Sequence, residues 1–344
     1  MRRLTACILA SLWAAVAALA QVQGQTGIHS STSVTRVVVA ASDAPASWKA
    51  AARFRCDGTD DQTKINAAIA SFGTKGGYVE LSPGLFKLSG SIELRNAVSI
   101  IGCGTQATIL RMVAGSNTNM FTAPSPPTAT TFIRWEKFTA TYEDGNTSGS
   151  FVDLTGNMTT IDWHFEDLYL MNSPGTAIIC NQGLGWKFER VIIEHGGSHG
   201  LMLKSGVDAT GPMLVNCKIM RQSGDAIRCE QPYLVVTGCE LGGGDNSPPG
   251  AGYAVHLNGA GAAVIVGSRF LMVPESPVAI YTTSSSYNTI TGNLFQEYPI
   301  GLLPTFTAKT SVGNSYLTDV SSFSGLYVGS VFSLYVTSTG GPVS

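Results

Sequence analysis

Arg228, His256 and Tyr281 stand at one position of three successive short apolar phrases, Ala226-Ile227-Arg228, Ala254-Val255-His256 and Ala279-Ile280-Tyr281. Two residues further on from that position, Lys204, Glu230, Asn258 and Thr283 form a second series. If each phrase is a strand, alternation turns Ile227, Val255 and Ile280 inward and sends both polar series outward. Just ahead of the phrases lie Glu194 to His199, Arg221 to Asp225 and Gly242 to Asn246. Aligning them puts His199 beside Asp225 on adjacent units and His195 near the Asp245 column.

Two chemistries suit these residue types. Elimination from a uronate needs a base beside the carboxylate and a cation for the developing charge, and Arg228, Lys204, His256 and Tyr281 are of the right kind. Glycoside hydrolysis needs two carboxylates about 5 to 5.5 Å apart for retention or 6.5 to 9.5 Å for inversion. Asp225 with Asp245 or Glu230 can supply them. The candidate catalytic residues are therefore Asp225, Arg228, His199 and His256. The candidate substrate-binding residues are Lys204, Glu230, Tyr281, Asp245, Asn258 and His195. Structural alternatives are a turn-forming Asp225, a Glu230 paired with Lys204 or Arg228, and an ordinary solvated sheet face.

The elements that must position these groups repeat. One phrase, anchored on Glu166, Glu189, Cys217, Cys239, Ser268, Asn293 and Asn314, returns at steps of 21 to 29 residues. The other, anchored on Ile178, Leu201, Ile227, Val255, Ile280 and Leu302, returns at steps of 22 to 28. A period in the twenties indicates a solenoid. Runs of three to five Val- and Ile-rich residues punctuated by Gly, Asn, Ser and Pro make each unit a coil of strands. Charged residues make up 13% of the chain, where globular proteins average about 25%, as expected when stacked coils cover most strand faces.

Residues 1–20, with Arg2-Arg3, an apolar stretch from Leu4 to Leu19 and Ala18-Leu19-Ala20, have the layout of a secretory signal peptide, so a secreted extracellular or periplasmic protein is expected. No other stretch reaches the ~18 apolar residues of a membrane span. The formal net charge of -2 argues against nucleic acid or an anionic membrane as the main partner. Residues 21–55 read as an extended lead-in, followed by a solenoid domain over 56–344 that ends in a capping segment at about 317–344. A helix over about 61–72, with the stripe Ile65, Ala68, Ile69 and Phe72 and Thr59 or Asp60 as its cap, covers the first coil. Cys217 and Cys239 share a column on neighbouring coils and can either bridge or remain buried thiols. Cys180 and Cys229 are held apart by Leu203.

The run Cys56 to Asp61, the helix after it, Gly76 through Leu88 and Ile100-Ile101-Gly102 resemble the opening of the pectate-lyase-like right-handed parallel β-helix superfamily. With the repeats, the resemblance covers about Arg55 to Tyr316. It implies an all-β, single-stranded right-handed parallel β-helix whose first sheet, the Ile178 to Leu302 column, binds sugars on its outward face. It also implies a stacked polar ladder along Cys217, Cys239, Ser268, Asn293 and Asn314. Ser198-His199-Gly200-Leu201 resembles the Gly-His-Gly motif of polygalacturonases, and Gly224-Asp225-Ala226-Ile227 their acidic motif. Gly224 stands where one carboxylate would be, and His199 precedes Asp225 rather than following it. Pectate lyases use a basic residue on the same sheet, where Arg228 stands, and calcium often assists them. Asp57, Asp60 and Asp61 suit turn formation and capping better than a metal, so no cofactor is expected, with Ca2+ as the alternative. The expectation is a polysaccharide-degrading lyase or glycoside hydrolase acting on an acidic polymer; the alternative is a non-catalytic glycan-binding or structural β-helix of a surface or particle. Asn146 and Asn157 match the glycosylation acceptor pattern.

Overall fold

A computed structural model describes residues 35–123, 130–155, 160–181, 183–206, 211–243, 252–271, 278–283, 288–296, 300–304 and 311–317. Apart from Thr35 these belong to one unit, Arg36–Ser344. The leader over 1–20, the segment after Leu317, Asp245 and Asn157 lie outside the described residues.

Strands stack in register, one coil on the next, and every pairing is parallel, in a right-handed β-solenoid. One nine-stranded sheet carries the column read from sequence: Ile178 pairs with Leu201, Leu201 with Ile227, Ile227 with Val255, Val255 with Ile280, and Ile280 with Leu302. The side chains of Ile178, Leu201, Ile227, Val255 and Ile280 are fully buried. Leu203 separates Cys180 from Cys229, as the spacing requires. The coil wall opposite belongs to an 18-stranded sheet.

In that larger sheet the register differs from the sequence alignment. Glu189 pairs with Val215, not Cys217, while Ile192 pairs with Lys218. The true column is Leu168, Val191, Cys217, Cys239, Ser268 and Asn293, so Glu166 and Glu189 belong two residues earlier. The cause is a one-residue corner. Asp167, Arg190, Asn216, Gly238, Gly267 and Gly292 all take the left-handed conformation, with φ between 52° and 65°, and turn the chain between two strands. Gly and Asn adopt it cheaply, but Asp167 and Arg190 also do so, and the corner is unmarked in the first coils. The polar ladder is present from Cys217 onward: the Cys217 amide donates to Cys239 Sγ (3.4 Å), Cys239 N to Ser268 Oγ (3.2 Å) and Ser268 N to Asn293 Oδ1 (2.9 Å). Cys217 and Cys239 are thiols, like the other four described cysteines.

The solenoid also begins earlier than read. Arg36–Ala40 is already a strand, paired with Phe54–Arg55 and with Tyr78 to Leu81, and Ala46–Ala51 is helical rather than extended. The cap helix runs Gln62–Ala70 with Ile65, Ala68 and Ile69 buried. Its N-cap is Asp61, which makes no side-chain capping bond; neither Thr59 nor Asp60 caps it. The Asp61 carboxylate instead accepts from Gly58 N (3.0 Å) and Lys87 N (2.8 Å), tying the entry turn to the first coil. Asp57 closes its own turn onto Thr59 N (2.9 Å).

Stacking extends through the core. Trp163 lies flat on Trp186 (5.1 Å, 1°) and Phe165 on Phe188 (4.6 Å, 7°), so on these two neighbouring coils the aromatics of one seat those of the next.

Candidate functional site

The site lies on strands Ile227–Cys229, Val255–Asn258 and Val278–Thr283 of the nine-stranded sheet and in the turns that lead into them. Asp225, in the turn before strand Ile227–Cys229, is 3% exposed, and its backbone and side chain join three coils. Its amide donates to His199 Nδ1 (2.8 Å), and its Oδ1 accepts from Tyr253 N (2.8 Å). Oδ2 lies 3.4 Å from His256 Nδ1 and 3.5 Å from His199 Nδ1. A ring nitrogen that accepts an amide hydrogen carries none of its own, so the neutral His199 holds its proton on Nε2. Only His256 can then give Asp225 Oδ2 an Nδ1 proton. His256 Nε2 is left as an acceptor, 2.7 Å from Thr283 Oγ1.

Parallel stacking supplies the neighbours. Met202, Arg228, His256 and Tyr281 are in register on successive strands, as the sequence column requires. Tyr281 and Tyr253 pack against each other with rings tilted by 31° (4.6 Å) and flank the His256 ring at 5.1 and 5.4 Å. Arg228 Nε lies 3.8 Å from Glu230 Oε1 and has no hydrogen-bond partner among the described residues. Glu230 also accepts from Asn258 Nδ2 (3.3 Å). The partners of Glu230 are thus Arg228 and Asn258 rather than Lys204. Lys204 pairs in register with Asn181 on the preceding strand of the sheet.

The fold therefore brings together Asp225, His199, His256, Arg228, Glu230, Asn258 and Tyr281. It puts His195 elsewhere, on strand Ile192–Gly196 of the larger sheet, in the left-handed conformation with its Nε2 3.2 Å from Arg221 Nη1. Sequence reading missed Tyr253, which lies outside both repeated columns. Its apolar context gave no signal; only the turn closing onto Asp225 reveals it. The missing second carboxylate has a steric reason. A Cβ at Gly224 would lie 2.7 Å from His199 Nδ1 and 3.0 Å from its Cε1, so any side chain there displaces the imidazole.

A second ionisable strip, on the larger sheet, also escaped the repeat alignment. Arg134, Glu136, His164, Glu166, Lys187 and Glu189 occupy two adjacent columns there. Arg134 meets Glu136 (3.0 Å) and Lys187 meets Glu189 (2.6 Å), while Arg190 holds Asp167 (2.6 Å) and Glu166 (2.5 Å). Acids and bases are mutually paired, as in a surface ion-pair ladder worth little per pair.

His199 is held below its ordinary value of 6.5, chiefly by burial; Asp225 opposes the shift, and Arg228 and His256 reinforce it. His164 is lowered too, by burial and then by Arg134 and Lys187, against Glu166 and Glu189. A lowered folded value means that the unfolded chain binds the proton more tightly. Both histidines are then without effect on stability above about pH 6.5 and reduce it as pH falls below that. The melting temperature should drop between about pH 7.5 and pH 5.5, and His199→Gln, which keeps an acceptor for the Asp225 amide, should drop less. Equal drops in the two proteins would contradict this assignment.

With the geometry in hand, comparison with known proteins identifies the fold family. A model described as the right handed beta helix region matches residues 176–337. Over those residues the chain is similar to that family, and its fold is that of a right-handed parallel β-helix. Among solved structures it is similar to ORF18 of Geobacillus virus E2, with a TM-score of 0.55 and 16% identity over 76% of this chain and 55% of that one. It is also similar to the tailspike protein of Acinetobacter phage vB_ApiP_P1, with a TM-score of 0.54 and 11% identity over 80% of this chain and 56% of that one. A third is DFA-IIIase from Arthrobacter chlorophenolicus A6, solved without its lid in complex with GF2, with a TM-score of 0.50 and 13% identity over 87% and 76% of the two chains. The chain spans little more than half the length of the two viral structures. At these identities the likeness is one of fold. No curated protein matches the sequence.

Proposed function

We propose that this is a secreted carbohydrate-active enzyme that lays an acidic polysaccharide along the outward face of the nine-stranded sheet and cleaves it by elimination. Secretion rests on the Met1-Arg2-Arg3 leader and its apolar run. A carbohydrate role is consistent with the fold's occurrence in a phage tailspike and in DFA-IIIase bound to GF2.

The observation that carries the reading is the Asp225–His256 pair in register with Arg228, whose side chain is partly exposed on the outward face. Asp225 holds the His256 proton on Nδ1, which leaves Nε2 as the basic atom. Arg228 is placed to bind the uronate carboxylate and stabilise charge that develops as the adjacent C–H proton leaves. Tyr253, raised above its ordinary value of 10.0 by burial and by nearby Tyr281 and Asp225, keeps its hydroxyl proton for the departing sugar oxygen. Hydrolysis is less well supported. Asp225 and Glu230 are both engaged by donors, and the Gly224 position has no room for a second acid.

Incubating the full chain with uronate and neutral polysaccharides, and following unsaturated ends by ultraviolet absorbance alongside reducing ends, tests the reading. Unsaturated product from a uronate polymer is expected. Reducing ends without unsaturation would replace elimination with hydrolysis. Neither signal, with glycan still retained, would leave a binding protein.

A further inference from the structure

The hydrogen bond from Thr283 to His256 gives the site a second chemical capability. Asp225 Oδ2, His256 Nδ1, His256 Nε2 and Thr283 Oγ1 follow one another as a chain of contacts, with separations of 3.4 Å at the acid end and 2.7 Å at the hydroxyl end. This is the order of groups by which a buried carboxylate fixes an imidazole tautomer and the imidazole takes a hydroxyl proton. The acid is 3% exposed, is anchored by Tyr253 N, and cannot receive a proton from His199 Nδ1, which is already an acceptor. The longer separation is of the kind that closes on substrate binding. Thr283 ends its strand, half-buried, with Asn258 directly in register on the preceding coil. Of the two Asn258 amide hydrogens, one goes to Glu230. The second is free to meet a neighbouring oxygen.

We propose that Thr283 is the nucleophile of an esterase activity that removes O-acyl groups from the polysaccharide bound on this face. The identity of the polymer rests on the function proposed above; the triad itself does not. Thr283 Oγ1 bonds to the acyl carbon as its proton passes to His256 Nε2, and the carbonyl oxygen takes negative charge beside Asn258 Nδ2. The acyl carbon's bond to the sugar oxygen then breaks, and the His256 proton goes to that oxygen. Water attacks the acyl-threonine through the same relay, with its proton taken by His256 and returned to Thr283. The net reaction is ester plus water giving a sugar hydroxyl and a carboxylic acid, with no change of oxidation state. The strip formed by Arg228, Glu230 and Asn258 makes an O-acetylated acidic polymer the natural substrate class.

The test uses the full chain with p-nitrophenyl acetate, which carries no uronate, and with an O-acetylated polyuronate, reading released acetate. Thr283→Val removes only the hydroxyl, keeps a β-branched residue in the strand, and should lower acetate release at least about 100-fold on both substrates. Thr283→Ser should retain release, and peptide mapping after quenching should find the acyl group on the Thr283 peptide. Formation of unsaturated ends should survive Thr283→Val, which separates this proposal from the elimination reading. Acetate release unchanged in a folded Thr283→Val protein, or no release from the native chain on either ester, would overturn the proposal, whatever the outcome of the elimination assay.

Discussion

Asp225→Asn is expected to lower both unsaturated-product formation and ester cleavage by between about 100-fold and 10,000-fold, with little change in fold. The amide keeps an oxygen for Tyr253 N, so the turn persists. Its NH2 then faces His256 Nδ1 and donates where the carboxylate accepted. The imidazole answers by moving its proton to Nε2, and the basic atom facing Thr283 and the substrate is lost. Nitrogen-15 chemical shifts of the His256 ring should report the tautomer change directly, a signature that mere loosening of the turn would not give. Native rates in Asp225→Asn would remove Asp225 from the catalytic relay. Thr283→Val, by contrast, should affect only ester cleavage, so the two variants divide the roles of one histidine.

Phe165→Ala is expected to cost about 3–5 kcal/mol, a large share of the ~5–15 kcal/mol that stabilises a folded domain. Phe165 is 1% exposed, lies parallel to Phe188 and takes the edge of Trp135 at 5.1 Å and 88°. Parallel coils cannot slide independently to refill a hole, because backbone register fixes both neighbours. In a solenoid the damage concentrates on the two adjoining coil interfaces. Urea unfolding should therefore move to a lower midpoint, and Met202→Ala, on the outward face of the other sheet, should shift it far less. Comparable shifts in the two variants would deny the stacked aromatics their special weight.

How far the sequence reading reached depended on where the chain keeps time. In the Ile178 to Leu302 column every coil contributes one apolar residue at the same phase, and the outward series Met202, Arg228, His256 and Tyr281 follows from alternation alone. In the larger sheet a left-handed corner intervenes, occupied by Asp167 and Arg190 before it settles to Asn216 and then to glycines. Without that marker, Glu166 and Glu189 look equivalent to Cys217, although backbone pairing aligns Leu168 and Val191 with it. The beginning of the solenoid was hidden in the same way. Arg36–Ala40 has buried Val37 and Val39 but no repeated phrase to announce it.

By itself, then, the sequence determined the coil, the strand phase of the nine-stranded sheet and the meeting of His199 with Asp225. All three follow from local alternation and a period in the twenties. Only the tertiary structure decided what those neighbours do. Which imidazole accepts from the Asp225 amide, which one faces its carboxylate, why Gly224 excludes a second acid and how Thr283 reaches His256 depend on distances across three coils. A period gives the coil on which a residue lies, but proton positions follow from lone pairs a few ångströms apart, which only the stacked coils bring within range.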